Sequence, residues 1–354
     1  MHAYKSSRLM SPFLAAILLL ITVVGCGDSG KSNGASETLY VVTYGGGAYQ
    51  QSHIDAFLEP FSENGVETES VVWNAEYGRL KEMVKSGNVV WDVVEVTAAH
   101  YARGVQDGLF EPLPLEINSD VFVPVDGGPD ITEFGAPNVY WSTVLAYDPG
   151  DKNPSTWSDF WNTEDYPGAR ALYDDPRGNL EFALLADGVS LDELYPLDIE
   201  RAFRKLDDIK PHVRVWWKDG TEPVQLLLTN QVVMTSAWSG RIFASEKAKE
   251  QIRYSWSGAA HELDYWVIPK GAKRVDKAGE FIRFASSPKP MAVQATATAY
   301  GPANMLALEH VDEATKSYLP TAEKNWEQSF TINSDWWAAN EKEVKQRWIK
   351  WKNE

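Results

Sequence analysis

The sequence predicts an α/β protein made of two lobes, each a largely parallel sheet flanked by helices. A chain of 354 residues fits two domains more easily than one. Strand-like and helix-like segments alternate from residue 39 to residue 107, an order typical of a parallel sheet with helices on both faces. A second strand–helix set follows a strand predicted over residues 138–147, a candidate crossover between the lobes. Ligands of such sheets bind at the carboxyl ends of the strands.

The first half begins with a strand over residues 39–44, after which Gly45–Gly47 lead into a helix. These glycines suit a tight turn with positive φ or a loop whose backbone N–H groups meet a ligand, and the two interpretations are compatible. Residues 89–96 form a nearly continuous apolar run, as expected of a strand buried on both faces. The other elements predicted here are a strand over 66–73 and helices over 76–86 and 98–107.

The second half continues the alternation of strands and helices. Its predicted strands span 169–173, 213–217, 231–237, 252–256 and 261–269. Its predicted helices span 176–185, 198–209, 221–229, 276–286, 288–297 and 334–352. The last helix carries Trp337, Val344, Trp348 and Trp351 on one face, a pattern that indicates docking against the protein rather than a cofactor site.

The N-terminus has the three parts of a secretory signal. Lys5 and Arg8 precede an apolar core at residues 12–21, which is too short for a confident transmembrane helix. Cys26 follows a small residue at the end of this core, which resembles a bacterial lipoprotein signal. We therefore expect residues 1–25 to be a lipoprotein signal peptide, Cys26 to be lipidated and residues 26–37 to be a flexible tether. An ordinary signal peptide with an incidental cysteine is the weaker alternative.

Composition narrows the function further. Cys26 is the only cysteine, so an internal disulfide and a multi-thiolate metal site are excluded. The net charge of −17 disfavours nucleic acid and anionic membrane surfaces as partners. It favours a cationic small molecule, although acidity also serves solubility alone. We expect a protein outside the cytoplasmic membrane, held there by its lipid anchor only.

The strand at residues 261–269 contains an unusual acid. Asp264 lies among apolar and aromatic residues, where a carboxylate must be solvated, paired with a cation or functional. From the strand alone a solvated or salt-bridged acid is the favoured interpretation. The sharper hypothesis is that Asp264 holds a ligand's ammonium group in a cleft between the lobes.

The sequence lacks a complete catalytic constellation. It has no Gly-x-Ser-x-Gly turn and no P-loop, and Tyr265 stands where the zinc motif beginning at His261 needs its second histidine. Glu262 and Asp264 share a strand face and could serve a glycoside hydrolase, but any acidic strand offers as much. We therefore expect no enzyme, no cofactor and no metal site.

Acids and aromatic residues do gather at predicted strand ends. A cation between aromatic faces gains about 0.5–2 kcal/mol per contact, and a buried carboxylate adds a charge-assisted hydrogen bond. Together these groups predict an amine site. They are Tyr44, Tyr49, Glu95, Asp175, Trp238, Glu262, Asp264 and Tyr300. For Asp175, helix capping is the favoured interpretation from the residues alone.

Four segments carry a resemblance to the extracellular solute-binding proteins of ABC importers, in the spermidine/putrescine branch. They are Asp92-Val93-Val94 with Thr97, Tyr173-Asp174-Asp175-Pro176-Arg177, Met234-Thr235-Ser236-Ala237-Trp238-Ser239-Gly240, and Asp264-Tyr265-Trp266-Val267-Ile268-Pro269-Lys270-Gly271-Ala272. Residues 281–288 and 298–304 continue the likeness, which spans most of the mature chain.

This resemblance implies a type II periplasmic-binding-protein-like fold, with mixed, mostly parallel sheets and a ligand in the interlobe cleft. The implied lobes are residues 38–141 with 263–308, and residues 142–262 with 309–354. Hinge closure would trap the ligand, and a monomer would deliver it to an ABC permease. The resemblance implies that Asp264 and Asp175 bind amine nitrogens, that Trp238 stacks on the carbon chain, that Tyr300 closes one wall and that Thr97 is a polar contact.

This sequence departs from the pattern of the spermidine/putrescine branch at positions that bear on which ligand is bound. Gly178 stands where a second acid is common, Ala99 replaces one aromatic residue and Glu262 replaces another. We predict a polyamine such as putrescine or spermidine, with Tyr44 and Gly45 also in the site. The alternatives are a zwitterionic ω-amino acid, whose carboxylate the amides of Gly45–Gly47 could receive, and a sugar. The glycoside hydrolase is the least favoured.

Overall fold

The computed structural model describes residues 38–45, 47–114 and 133–354, except for the side chains of residues 246 and 247. The predicted signal peptide, the tether, Cys26 and Gly46 lie outside the described residues. Within those ranges, no helix has the length and apolar character needed to cross a membrane.

The described strands form one continuous sheet in the order β2-β1-β3-β8-β4-β7-β5-β6, with β10 beside β8 and β9 beside β4. They are β1 (Leu39–Tyr44), β2 (Thr68–Trp73), β3 (Val93–Thr97), β4 (Gly135–Tyr147), β5 (Arg170–Tyr173), β6 (Val213–Trp217), β7 (Met234–Trp238), β8 (Arg253–Val267), β9 (Gly301–Pro302) and β10 (Phe330–Thr331). The β1–β2, β1–β3, β5–β6 and β5–β7 pairs are parallel, whereas β4 and β8 run antiparallel to each other and to the strands outside them. The predicted mixed α/β architecture is therefore confirmed.

The helices flank this sheet. They are α1 (Gly47–His53), α2 (Glu59–Ser62), α3 (Tyr77–Ser86), α4 (Ala98–Gln106), α5 (Trp157–Trp161), α6 (Pro176–Ala186), α7 (Ile199–Ile209), α8 (Glu222–Leu228), α9 (Ser239–Phe243), α10 (Glu246–Gln251), α11 (Val275–Ala285), α12 (Pro288–Thr298), α13 (Glu313–Lys316), α14 (Glu323–Trp326) and α15 (Ser334–Asn353). Short 3-10 segments lie at Leu191–Glu193, Lys210–His212 and Met305–His310.

Several predicted strand boundaries were wrong. The segment 252–256 and the segment 261–269 are one strand, β8, which crosses the middle of the sheet. Gly258, at φ +70°, absorbs a shift in register against β4 and lets the strand continue. β3 begins at Val93 rather than at residue 89, and the Asp92 side chain accepts the backbone N–H of Tyr40 at 2.9 Å.

Pro60 is the second residue of α2. A π-helical stretch, Ile54–Leu58, joins α1 to α2 just before it. Proline lacks the backbone N–H that would bond to the preceding turn, so the hydrogen-bond register widens there without breaking the helix.

Separate hydrophobic cores lie on the two sides of the crossing strands. One joins β1–β3 and the end of β8 to α11 and α12, and it includes Val311 and Leu319. The others lie around β5–β7. The C-terminal helix α15 buries its tryptophan face in one of these, as predicted. The lobe bounds given above stay a prediction.

Candidate functional site

A cavity of about 480 Å³ opens where β1, β3, β5 and β7 end and where β4 and β8 cross. All eight residues predicted for the ligand site line it, although their contact with a ligand stays a prediction. They are Tyr44, Gly45, Thr97, Asp175, Trp238, Glu262, Asp264 and Tyr300. The parallel topology explains the gathering of Tyr44, Gly45, Thr97, Asp175 and Trp238, because carboxyl ends of strands meet at one edge of the sheet.

Asp264 is the acid in the middle of the sheet. It lies on β8 opposite Thr97 of β3 and Val139 of β4, and only 2% of it is exposed. Trp141 donates its indole N–H to the Asp264 carboxylate at 3.1 Å. Burial and the charge of Glu95 raise the pKa of Asp264 well above its usual range, and the Trp141 hydrogen bond opposes this. A cation placed here would restore the ionised carboxylate.

Glu95 supports this acidic region from the protein interior. It is fully buried on β3 and accepts hydrogen bonds from the Tyr49 hydroxyl and the Asn138 amide, each at 2.7 Å. His53 Nε2 lies 3.4 Å from its second oxygen. The sequence predicted Glu95 near a strand end; the structure places it in the middle of β3, with its carboxylate in this buried network rather than in the cavity wall.

Aromatic rings form the walls between the charged groups. Trp238 makes edge contacts with Trp141 at 5.7 Å and with Tyr173 at 5.8 Å. Tyr300 meets Tyr49 edge-on at 5.7 Å. Such rings pack against methylene groups and attract a cation over their faces.

Arg241 is one of the cationic residues of the cavity that the sequence interpretation missed. It lies in the first turn of α9, just after Trp238 ends β7, and it lines the cavity. Its Nε is buried without a hydrogen-bond acceptor, and it makes no ion pair within the described part of the chain. Because α9 has only five residues, Arg241 lies near both of its ends, and its position three residues after Trp238 was the available signal.

Tyr300 lies within the electrostatic reach of both charges. Its pKa is raised to about 12, chiefly by burial; Arg241 lowers it, whereas Asp264 and Glu95 raise it further. The charges of Arg241, Asp264 and Glu95 therefore all act on this one hydroxyl.

The other charged groups of the cavity already have partners. Glu262 accepts from Arg177 at 3.3 Å, and Lys345 lies 3.4 Å from Asp175. Asp175 also caps α6 by accepting the Arg177 backbone N–H at 3.0 Å, as its sequence position indicated. Asp219 accepts the backbone N–H of Thr221 at 2.9 Å and its hydroxyl at 2.5 Å. Asp264, Asp219 and Arg241 make no ion pair among the residues described; the Thr221 hydrogen bonds and the charge of Arg241 lower the pKa of Asp219, whereas Asp264 has the Trp141 indole as its hydrogen-bond donor.

Gly240 allows Tyr300 to approach α9. A Cβ atom at this position would lie 2.3 Å from the Tyr300 ring and 2.7 Å from the Thr298 backbone oxygen.

We expect Gly240→Ala to destabilise the protein by about 1–3 kcal/mol through overpacking and to weaken ligand binding by displacing Tyr300. Denaturant unfolding and ligand titration measure the two effects. Gly78→Ala is the matched control, since that glycine is exposed in α3 with open space around it, and it should not destabilise. Equal stability of both variants would contradict this account of Tyr300.

Metal binding finds no support in the described ranges, where no group of three or more potential ligands could hold an ion. The site is instead a cleft at strand ends, with an acid, a cation and aromatic walls. These features define a receptor for a small polar solute.

Comparison with known proteins supports the description of this cleft as a receptor for a small solute. Residues 53–321 match the family of bacterial extracellular solute-binding proteins, and the chain belongs to this family. Such proteins serve ABC importers outside the cytoplasmic membrane, where they bind small ligands and pass them to a membrane permease.

Three relatives indicate the range of ligands. The chain is 34% identical to a gamma-aminobutyric acid-binding protein of Pseudomonas aeruginosa over 345 residues, which is 95% of this chain and 97% of that protein. The solved structure of the Atu4243 GABA receptor superposes with a TM-score of 0.81 at 33% identity, covering 89% of this chain and 98% of the other. A spermidine/putrescine-binding periplasmic protein of Escherichia coli is 28% identical over 182 residues, or 49% of this chain and 51% of that protein.

Proposed function

We propose that this protein captures a zwitterionic ω-amino acid of the γ-aminobutyrate class and delivers it to an ABC permease. The observation that carries the proposal is that the cavity presents a buried acid, Asp264, and a cation, Arg241, neither of which makes an ion pair among the described residues. A ligand with an ammonium group at one end and a carboxylate at the other would neutralise both.

The chemistry of the two ends differs. The ammonium would meet the Asp264 carboxylate beside Trp141, gaining a charge-assisted hydrogen bond and cation–π contacts. The carboxylate would meet the guanidinium of Arg241, whose planar donors suit bidentate binding. The methylene chain would lie along Trp238 and Tyr300, as the sequence already suggested for an amine ligand.

A polyamine fits this cavity less well, although it was the first choice from the sequence. A polyamine carries no carboxylate, so the buried Nε of Arg241 would stay without an acceptor and the guanidinium would face a cation of the same sign. The relatives also favour an ω-amino acid over a polyamine, since the likeness to two proteins named for γ-aminobutyrate extends along nearly the whole chain. The amides of Gly45–Gly47 are no longer needed as the carboxylate receptor.

The anchoring of the mature protein through lipidated Cys26 and its action as a monomer are part of the proposal. So is the absence of catalysis, for which the family of solute-binding proteins is the support. The residues alone had offered Glu262 and Asp264 as an acid pair for a glycoside hydrolase. In the structure, Glu262 instead accepts a hydrogen bond from Arg177.

A thermal-shift screen tests the proposed function. The ligands are ω-amino acids with two to six carbons between the charges, diamines of the same lengths, spermidine and oligosaccharides. A true ligand at about 100 times its Kd should add ~2.7 kcal/mol of stability. We expect γ-aminobutyrate or a near homologue to give the largest shift. A larger shift with a diamine or a sugar would overturn the proposal.

Ligand affinity should fall as the pH is lowered. Burial and Glu95 raise the pKa of Asp264 in the empty cavity, so the empty protein takes up a proton there before an ordinary carboxylate would. A bound ammonium favours the ionised form and lowers that pKa, so binding releases a proton in the pH range between the two values. Calorimetry in two buffers of different ionisation enthalpy measures this release. Identical heats in both buffers, with an affinity independent of pH, would contradict it.

A further inference from the structure

Arg177 occupies one end of the cavity and is held by several acids. Its Nη1 lies 3.3 Å from Glu262 and its Nη2 lies 3.1 Å from Glu341 of α15. The guanidinium also lies over the Trp337 ring at 5.5 Å. About 14% of the side chain is exposed, so this cation is fixed in the wall rather than free in solvent.

Glu262 and Asp264 are alternate residues of β8, and both side chains reach the cavity. Their Cα atoms are therefore roughly 7 Å apart along the strand. Two carboxylates at this spacing are suited to a diamine, with one ammonium group at each acid. In this chain only Asp264 is open to a cation, because Arg177 already neutralises Glu262.

We propose that Arg177 determines specificity by acting as a built-in substitute for the second ammonium group, so that diamines are excluded and ligands with one ammonium are accepted. This inference rests on the proposed function, in which Asp264 receives the single ammonium of an ω-amino acid. It also accounts for an acid, Glu262, at a position where the sequence resemblance implied an aromatic residue.

The surrounding charges hold Arg177 in this role. Glu341 also accepts from Lys345 at 2.8 Å and lies 3.9 Å from Arg103 of α4. Removal of Arg177 would leave Glu262, Glu341 and Asp175 around one end of the cavity, with Lys345 as the nearest remaining cation. Such a cluster would attract an ammonium group strongly.

The test compares the ratio of putrescine to γ-aminobutyrate affinity in wild type and Arg177→Met, measured by calorimetry. We expect this ratio to rise at least about tenfold in the variant. The double variant Arg177→Met/Glu262→Gln should lose the gain, since Glu262 would be the receptor of the second ammonium. Arg177→Gln removes the charge with less loss of hydrogen bonding. It replaces Arg177→Met in the same affinity comparison if the methionine variant fails to fold.

Two control variants distinguish the loss of the cation beside Glu262 from a general loss of positive charge. Arg177→Lys keeps a cation at Glu262 and should still exclude putrescine. Arg103→Met removes another cation of the same network that does not line the cavity, and it should not admit putrescine. An unchanged ratio in both Arg177→Met and Arg177→Gln, or an equal rise in Arg103→Met, would overturn the inference. Failure of wild type to bind any ω-amino acid would instead count against the proposed function, while the change in putrescine affinity still decides the role of Arg177.

Discussion

Replacing Asp264 with asparagine is expected to remove most of the affinity for γ-aminobutyrate. The variant keeps the size of the side chain and an oxygen that can accept from Trp141 at the present 3.1 Å. It loses the negative charge that would pair with the ammonium group. Loss of one partner of a desolvated charge pair costs about 2–5 kcal/mol, which is at least about 30-fold in Kd. Isothermal titration calorimetry measures this directly.

The same substitution should stabilise the empty protein at neutral pH. Because the pKa of Asp264 is raised in the folded state by burial and by Glu95, ionisation of this carboxyl opposes folding. This penalty is absent below the ordinary carboxyl pKa and grows as the pH rises toward the folded-state pKa. The asparagine side chain does not ionise and has no such penalty, so the variant's advantage in the free energy of unfolding should vanish in acid.

Asp187→Asn is the matched control for both measurements. Asp187 is an exposed acid that pairs with Arg201 and does not line the cavity. Its loss should leave Kd unchanged and shift stability by about 1 kcal/mol or less. An Asp264→Asn protein that binds γ-aminobutyrate as wild type does would show that the ammonium lies elsewhere.

Arg241→Met should weaken the binding of γ-aminobutyrate by a similar factor, because it removes the cation that would bind the carboxylate end of the ligand. The methionine preserves apolar contact with the cavity but leaves the ligand carboxylate without its cation. The expected cost is again about 2–5 kcal/mol. The affinity for n-butylamine, which has the ammonium but no carboxylate, should not fall, and removal of a like charge should raise it.

Arg253→Met controls for the loss of one positive charge from this acidic protein. Arg253 is exposed at the start of β8, bonds to carbonyl oxygens of α10 and lies away from the cavity wall. It should bind both ligands as wild type does. If Arg241→Met and Arg253→Met behave alike toward γ-aminobutyrate, Arg241 has no special role in carboxylate binding.

Much of the fold was predictable because local patterns agree with tertiary packing. The β1 bounds, the β6 bounds and the buried tryptophan face of α15 follow from alternation and helical spacing. The continuity of β8 was not predictable, since the segment around Gly258 resembles a break and only pairing with β4 shows that it is a bulge.

The eight predicted site residues line the cavity because most of them follow strand ends or alternate on β8, while Tyr300 directly precedes β9; their contact with a ligand stays a prediction. Trp141 was missed because its place in the site depends on register: it faces the cavity opposite Glu262. Arg177 and Arg241 were missed for another reason, since a search for an amine site looks for acids and aromatic residues. Which charged groups of the cavity form ion pairs among the described residues depends on long-range contacts such as Arg177 with Glu341, which no local pattern reveals.

The most direct test of the central claim is the structure of the protein in complex with γ-aminobutyrate. We expect the ligand nitrogen to lie about 2.7–2.9 Å from an Asp264 oxygen and the ligand carboxylate to make two such contacts with the Arg241 guanidinium. A carboxylate bound by the Gly45–Gly47 loop with Arg241 uninvolved, or an ammonium remote from Asp264, would contradict the account.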